Sequence, residues 1–199
     1  MYHPIQPPEG SIEWMKEMVK EKEGRELTDQ EAHEAAYNYL NFFNMLLYLD
    51  KKQNPMKKLY LDIDGVLLTK QGVSAPHIVE FLKFATDNFD CYWLTTHCDG
   101  DATTAFLYLV GKLPSEAVPY LEKIKPTKWK LWKPEGIDYS QDFIWLDDYA
   151  FDGDKKVLEE HQALEKLITI DLQANPNQLL DLVNQWQKKT KKKMTSKIT

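Results

Sequence analysis

Arginine is nearly absent: of 199 residues only Arg25 carries a guanidinium. Bidentate clamping of a phosphate by arginine is therefore all but excluded, and any phosphate charge must be met by lysine, backbone amides or a metal ion. Cysteine is almost as scarce, with Cys91 in a predicted strand and Cys98 just past its end. That placement suits reduced thiols better than a disulfide framework. Long apolar runs are missing too. Nothing approaches the ~20 residues that span a bilayer, and the opening Met-Tyr-His-Pro-Ile-Gln-Pro-Pro-Glu has neither the charged nor the apolar region of a signal peptide. The expectation is a cytoplasmic protein with no membrane partner. There is no internal repeat.

What the chain does have is the material for a core, with 43% hydrophobic and 12% aromatic residues, enough for one ordinary domain and an appendage. Its net charge of −6 is unevenly spread: six lysines, Lys188, Lys189, Lys191, Lys192, Lys193 and Lys197, stand in the last twelve residues, so the rest carries −12. An acidic body argues against broad electrostatic binding of nucleic acid, which needs many Lys and Arg contacts to phosphate. The lysine-rich end, 188–199, reads as a solvated, disordered tail able to add a local contact.

Thr28-Asp-Gln-Glu31 has the form of a capping box. Behind it Ala32, Ala35, Ala36, Tyr39, Leu40, Phe43, Leu46 and Leu47 recur at helical spacing to about Asp50. A shorter helix from about Ser11 to Glu23 puts Ile12, Met15, Met18 and Val19 on one side, with Gly24 as its stop. Residues 1–55 thus read as a helical hairpin. Phe42, Met45, Tyr48 and Leu49 widen the apolar surface of the longer helix, which calls for cover from the main domain or from a protein partner, the main domain being preferred.

Past the polar break Lys51-Lys-Gln-Asn-Pro55, strands and helices alternate as in a parallel sheet with crossover helices. Strands are expected near 58–63, 90–95, 142–147 and 167–171. Helices are expected near 75–88, 101–110, 127–133, 154–165 and 176–188, the last introduced by Asn175-Pro176 as N-cap and first-turn proline.

The most specific stretch is Leu59-Tyr-Leu-Asp62-Ile-Asp64-Gly65-Val-Leu-Leu-Thr69. Acids are depleted from strand interiors because an unpaired carboxylate is costly to bury, so two at a strand's carboxyl end require a reason. A strand edge blunted by charge is the bland one. The functional one is that open α/β sheets bind ligands outside the carboxyl ends of their strands, where Gly65 would let the chain turn away. This stretch resembles the first motif of the haloacid dehalogenase (HAD) superfamily, Asp-x-Asp-Gly. The resemblance implies a three-layer HAD-like, Rossmann-like α/β fold over 56–187, with helices on both faces of a parallel sheet. It also implies a phosphatase in which Asp62 is the nucleophile that becomes an aspartyl-phosphate and Asp64 the general acid and base.

The remaining motifs follow in order. Cys91-Tyr-Trp-Leu-Thr95-Thr96 resembles the second, with Thr95 as the hydroxyl for the phosphoryl group and Thr96 as its alternate. The adjacent His97, Cys98 and Asp99 lack the paired ligand spacing of a zinc site. Ile144-Trp-Leu-Asp147-Asp148-Tyr-Ala-Phe-Asp152 resembles the fourth, which implies Asp148 as direct metal ligand, flanked by Asp147 and by Asp152 four residues on. An Asp-Asp pair can instead cap the helix that follows. The implied ion is Mg²⁺, held by Asp62, the backbone carbonyl of Asp64, and Asp148.

The third motif needs a lysine, and Lys125, Lys128, Lys130 and Lys133 all lie in one segment. Pro126-Thr127 looks like a helix start, which selects Lys128, with Lys125 and Lys130 behind it. Trp129 and Trp132 between them read as core residues covered by lysine stems in preference to a base-stacking platform.

Little sequence separates the motifs, leaving little room for a large cap. By analogy with the superfamily, an open site suits a phosphate on something bulky, such as a phosphoprotein or a nucleic-acid end, the one nucleic-acid role expected. Two other readings stand beside the phosphatase: a binding module with vestigial turnover, and a phosphotransferase.

Overall fold

The computed structural model describes residues 3–53 and 55–195, and it divides into two units, Met1–Pro55 and Met56–Thr199. In the first unit, α1 (Ser11–Glu23) stops at Gly24, whose φ of +67° suits glycine and whose N–H reaches the Lys20 carbonyl at 3.0 Å. Helix α2 (Asp29–Gln53) begins at a reciprocal capping box: the Thr28 N–H donates to Glu31 Oε2 at 2.9 Å, and the Glu31 N–H donates to Thr28 Oγ1 at 3.3 Å. Met15, Val19, Leu27, Ala32 and Ala36 form the small core between the helices. The rest of the predicted stripe is more open, with Tyr39, Phe43, Leu46 and Leu47 exposed. Helix α2 continues past Asp50 into the segment read as a polar break, because Lys and Gln are good helix formers and lysines suit a helix C-terminus. Asn54 of that break lies outside the described residues.

The second unit is α/β. Four parallel strands, β1 (Lys58–Leu61), β2 (Asp90–Trp93), β3 (Phe143–Asp147) and β4 (Leu167–Thr169), lie in the order β2-β1-β3-β4. Alternate strand residues pack into different clusters, as the period of two requires. Leu59, Leu61, Trp93, Ile144 and Leu146 share one with residues of α3 (Ile78–Asn88), α4 (Thr103–Val110) and α7 (Gln178–Thr195). Tyr60, Phe143 and Trp145 share the other with Leu158 of α6 (Asp152–Glu160). Strands β1 and β3 are buried along their whole length, which is why they read as unbroken apolar runs. None of the helices among the described residues is long and apolar enough to cross a membrane.

Besides α2, and α6 ending at Glu160 where a helix to 165 is expected, three segments differ from the sequence reading. No helix spans 127–133: the Lys125 and Trp93 backbones exchange partners along β2 (Trp93 N–H to Lys125 O, 2.9 Å; Lys125 N–H to Cys91 O, 3.0 Å), and the Thr127 hydroxyl donates to the Trp93 carbonyl. These groups extend the sheet edge, so they cannot start a helix. The region holds only the short α5 (Val118–Leu121) and 3₁₀ turns at Ser115–Ala117 and Lys133–Gly136. Strand β4 is three residues, its end taken by a turn in which the Asp171 carboxylate accepts from the Gln173 and Ala174 N–H groups. The tail predicted as disordered from residue 188 is helical to Thr195, and residues 196–199 lie outside the described set.

Candidate active site

Strand β1 sends the chain to β2 on one side, and the chain returns to β3 on the other. That reversal opens a crevice at the carboxyl end of β1, the usual ligand position in such sheets. Asp62 stands there. Its N–H still bonds the Leu146 carbonyl at 3.0 Å, which locks it to β3, and it is only 6% exposed. Asp147, the last residue of β3, is 1% exposed. The next residue, Asp148, brings a third carboxylate, and oxygens of Asp62, Asp147 and Asp148 all lie within 4.8 Å of one another.

Gly65 makes this approach possible. It turns with a φ of +80°, and a Cβ built on it would fall 2.3–2.5 Å from the Asp148 side chain. Any other residue would strain the turn and displace that carboxylate.

The lysine that meets these acids is Lys133, not Lys128. Its Nζ lies 3.1 Å from Asp62 and 2.7 Å from Asp147, with 14% of the side chain exposed. Lys128 is 70% exposed and pairs with Asp99 at 3.3 Å, and Lys125 pairs with Asp90 at 2.6 Å. Lys130 is exposed. The physical reason is the missing helix: with Thr127 tied to β2, the chain crosses the sheet end before it turns at Lys133. Glu135 accepts the N–H groups of Lys130 and Leu131 at 3.0 Å each, and Asp154 accepts the Lys133 N–H at 3.0 Å. Two Lys-Pro pairs, at 125 and 133, look alike in sequence. Only their hydrogen bonds separate them.

Asp152 does not join the cluster. Its side chain is fully exposed and faces Lys155 at 3.8 Å. The buried acid of α6 is Asp154, 2% exposed, which also accepts the Phe151 N–H at 2.9 Å and so caps the helix while anchoring Lys133. Thr95 is 1% exposed and its hydroxyl acts on the Asp62 carboxylate, whereas Thr96 lines the open pocket. That pocket, of about 570 Å³, is bordered by Asp62, Asp64, Lys70, Thr96, Tyr108, Lys133 and Asp148.

Asp64 lines the same pocket but is not part of the acid cluster. Its Oδ2 is 2.8 Å from His97 Nε2 and its Oδ1 accepts from the Tyr108 hydroxyl at 3.0 Å. Neither neighbour has a signature in the sequence for this role, since no local spacing links residue 64 to residues 97 and 108. Leu131 and Trp132 complete the turn toward Lys133, and the Trp132 indole packs so close to Gly153 that a Cβ there would lie 2.3 Å from it. Trp129 packs against a core cluster, while Trp132 is half-buried and lies outside the core clusters of the described residues.

Electrostatically the cluster is one ammonium short. Burial pushes the Asp62 carboxyl up, and Lys133 offsets that only in part. Burial, then the charge of Asp62, raises Asp147 to about 7. Burial pulls the Lys133 ammonium down, but the two carboxylates more than reverse this. Lys133 meets Asp62 and Asp147, and Lys70 Nζ lies 3.6 Å from Asp148, so three carboxylates face two ammoniums. The ligand atoms these acids offer are all oxygen, a donor set that fits a hard divalent cation.

The raised Asp147 predicts a pH dependence. An acid whose pKa is higher folded than unfolded holds extra protons in the folded state between the two values, so stability declines as pH rises across that window. For Asp147 the window runs from about 4 to about 7. In EDTA, Tm should fall as pH is raised through it, and Asp147→Asn should flatten the slope. An unchanged slope in that variant would place its origin in another group.

Compared with family models, curated proteins and solved structures, the chain finds no match in any of the three.

Proposed function

We propose that this chain is a Mg²⁺-dependent phosphatase of the HAD type, with the superfamily's three-layer fold, acting through an aspartyl-phosphate on Asp62. The observation that carries the reading is a buried carboxylate at the carboxyl end of the central strand, 3.1 Å from Lys133, with oxygens of two further acids within 4.8 Å. An acid is costly to keep there without a chemical use.

Asp62 attacks phosphorus, the bond to the leaving oxygen breaks, and Asp64 gives that oxygen its proton. Asp64, now a carboxylate, takes a proton from a water whose oxygen attacks the phosphorus, which frees Asp62 and phosphate. Lys133 sits where it can offset charge on both the nucleophile and the phosphoryl oxygens. Thr96 and Lys70 border the same pocket and can donate to those oxygens. We assign Mg²⁺ to Asp62, Asp148 and the backbone carbonyl of Asp64; bound there it would supply charge neutralisation for the transferring group.

The substrate phosphate belongs on a bulky molecule. Residues 62–89 between β1 and β2 contribute only α3, and the β2–β3 connection only short helices, so the pocket stays open to large molecules. A protein or nucleic-acid end satisfies this, and a panel of phosphorylated peptides, nucleic-acid ends, sugars and nucleotides would rank them.

The first test is Mg²⁺-dependent phosphate release from p-nitrophenyl phosphate. Release that is absent, or indifferent to EDTA, overturns the proposal. The metal assignment has its own test. Asp148 borders the pocket, with the exposed Lys70 as its ion-pair partner at 3.6 Å, whereas the buried Asp147 is held by Lys133 and by the Tyr149 N–H at 3.0 Å. Asp148→Ala should raise the Mg²⁺ activation constant by about 100-fold or more, and Asp147→Ala by about 10-fold, the smaller loss typical of an outer partner. The reverse order would exchange their roles.

A further inference from the structure

We infer that His97 and Tyr108 are positioning residues that hold Asp64 in register for proton transfer, an inference that rests on the phosphatase reading above. Asp64 is half open to solvent, with 52% of its side chain exposed. A carboxylate on an exposed turn ordinarily samples several rotamers. This one is gripped at both oxygens by donors from separate elements. His97, from the loop after β2, reaches Oδ2 at 2.8 Å, and Tyr108, from α4, reaches Oδ1 at 3.0 Å. When Asp64 is ionised it only accepts and His97 donates through Nε2; when Asp64 carries the proton it will transfer, an Nε2 without hydrogen can accept it across the same contact.

The two donors are themselves braced. Their rings stack at 3.9 Å between centroids and 16° between planes. Lys112 Nζ lies over the tyrosine ring at 3.4 Å from its centroid. Two groups that close cannot share one face of the ring, so Tyr108 is covered on both sides, and a cation over its face adds to the hold. Tyr108 borders the same open pocket as Asp62 and Lys133. The fork therefore stands at the mouth of the site and fixes the direction from which Asp64 approaches a leaving group. An incoming leaving oxygen displaces one of the two donors while the other retains the carboxyl. The arrangement matters because proton transfer by a positioned acid contributes about 10²–10⁴-fold only when the acid is within hydrogen-bond reach.

The signature is dependence on the leaving group. Under single-turnover conditions with Mg²⁺, p-nitrophenyl phosphate expels a good leaving group that needs no proton, whereas phenyl phosphate expels a poor one that does. His97→Ala and Tyr108→Phe should slow phenol release about 10-fold or more and p-nitrophenol release less than about threefold. His97→Gln, whose amide can donate from nearly the same place, should recover most of the loss. In an Asp64→Asn background His97→Ala should change neither rate, because its effect passes through Asp64. Equal slowing of both substrates, no slowing of either, or an undiminished effect in the Asp64→Asn background would overturn the positioning role while leaving the phosphatase intact. Wild-type protein that releases neither phenol would overturn both together.

Discussion

Asp62→Asn should lower phosphate release below detection, a loss of about 10⁵-fold or more, in keeping with the removal of an essential nucleophile. Folding should not be what fails. Asp62 is buried beside Asp147, and the two carboxylates share a single ammonium from Lys133. Each charge raises the cost of the other, so the amide leaves Lys133 and Asp147 as a balanced pair. In EDTA the variant should therefore melt no lower than the wild type. In Mg²⁺ the wild type should gain stability by the linkage of ligand to fold, and the variant should gain less because one metal oxygen is lost. Rapid acid quench of the wild type during turnover should yield a phosphate adduct on the peptide that contains residue 62, and the variant should yield none. Retained phosphate release, or an adduct mapped to another acid, would remove Asp62 from the nucleophile's place.

Much of this site was readable because its signals are local. Two acids and a glycine after an apolar run place Asp62 at the end of a buried strand, and the run Ile144–Asp148 does the same for β3. That β1 and β3 lie side by side, and so bring these ends together, comes from the strand order of the sheet, which neither run carries by itself. Thr28 and Glu31 announced the start of α2 for the same reason, since both partners of a capping box lie within one turn.

What was not readable depends on hydrogen bonds outside the regular elements, some local and some between distant residues. Lys133 reaches Asp62 because Thr127 bonds Trp93, Glu135 bonds Lys130 and Leu131, and Asp154 bonds Lys133 itself. None of those links has a signature in spacing. Pro126-Thr127 satisfies the local rule for a helix start, and a tertiary hydrogen bond overrides it. Asp152 is suggested by the four-residue interval alone, but the first turn of α6 turns it outward and Asp154 inward.

The exchange of Lys128 for Lys133 yields the second large effect. Lys133→Met should cut turnover by about 10²–10³-fold, the usual cost of removing one donor aimed at developing charge. It should also destabilise the fold. Taking one partner from a buried ion pair leaves an uncompensated charge and costs about 3–5 kcal/mol; here two carboxylates, Asp62 and Asp147, lose their common cation. For a chain of this size that corresponds to roughly 6–20 °C in Tm. Mg²⁺ should recover part of the loss, because it offers the same carboxylates another positive partner. A methionine that merely spoiled packing would show a deficit indifferent to Mg²⁺. Lys128→Met is the control: its side chain is 70% exposed and its partner Asp99 78% exposed, so stability should stay within about 0.5 kcal/mol and turnover close to that of the wild type. If Lys128→Met instead disables turnover while Lys133→Met does not, the lysine at the phosphoryl group is Lys128 and the pairing of Lys133 with Asp62 has no catalytic part.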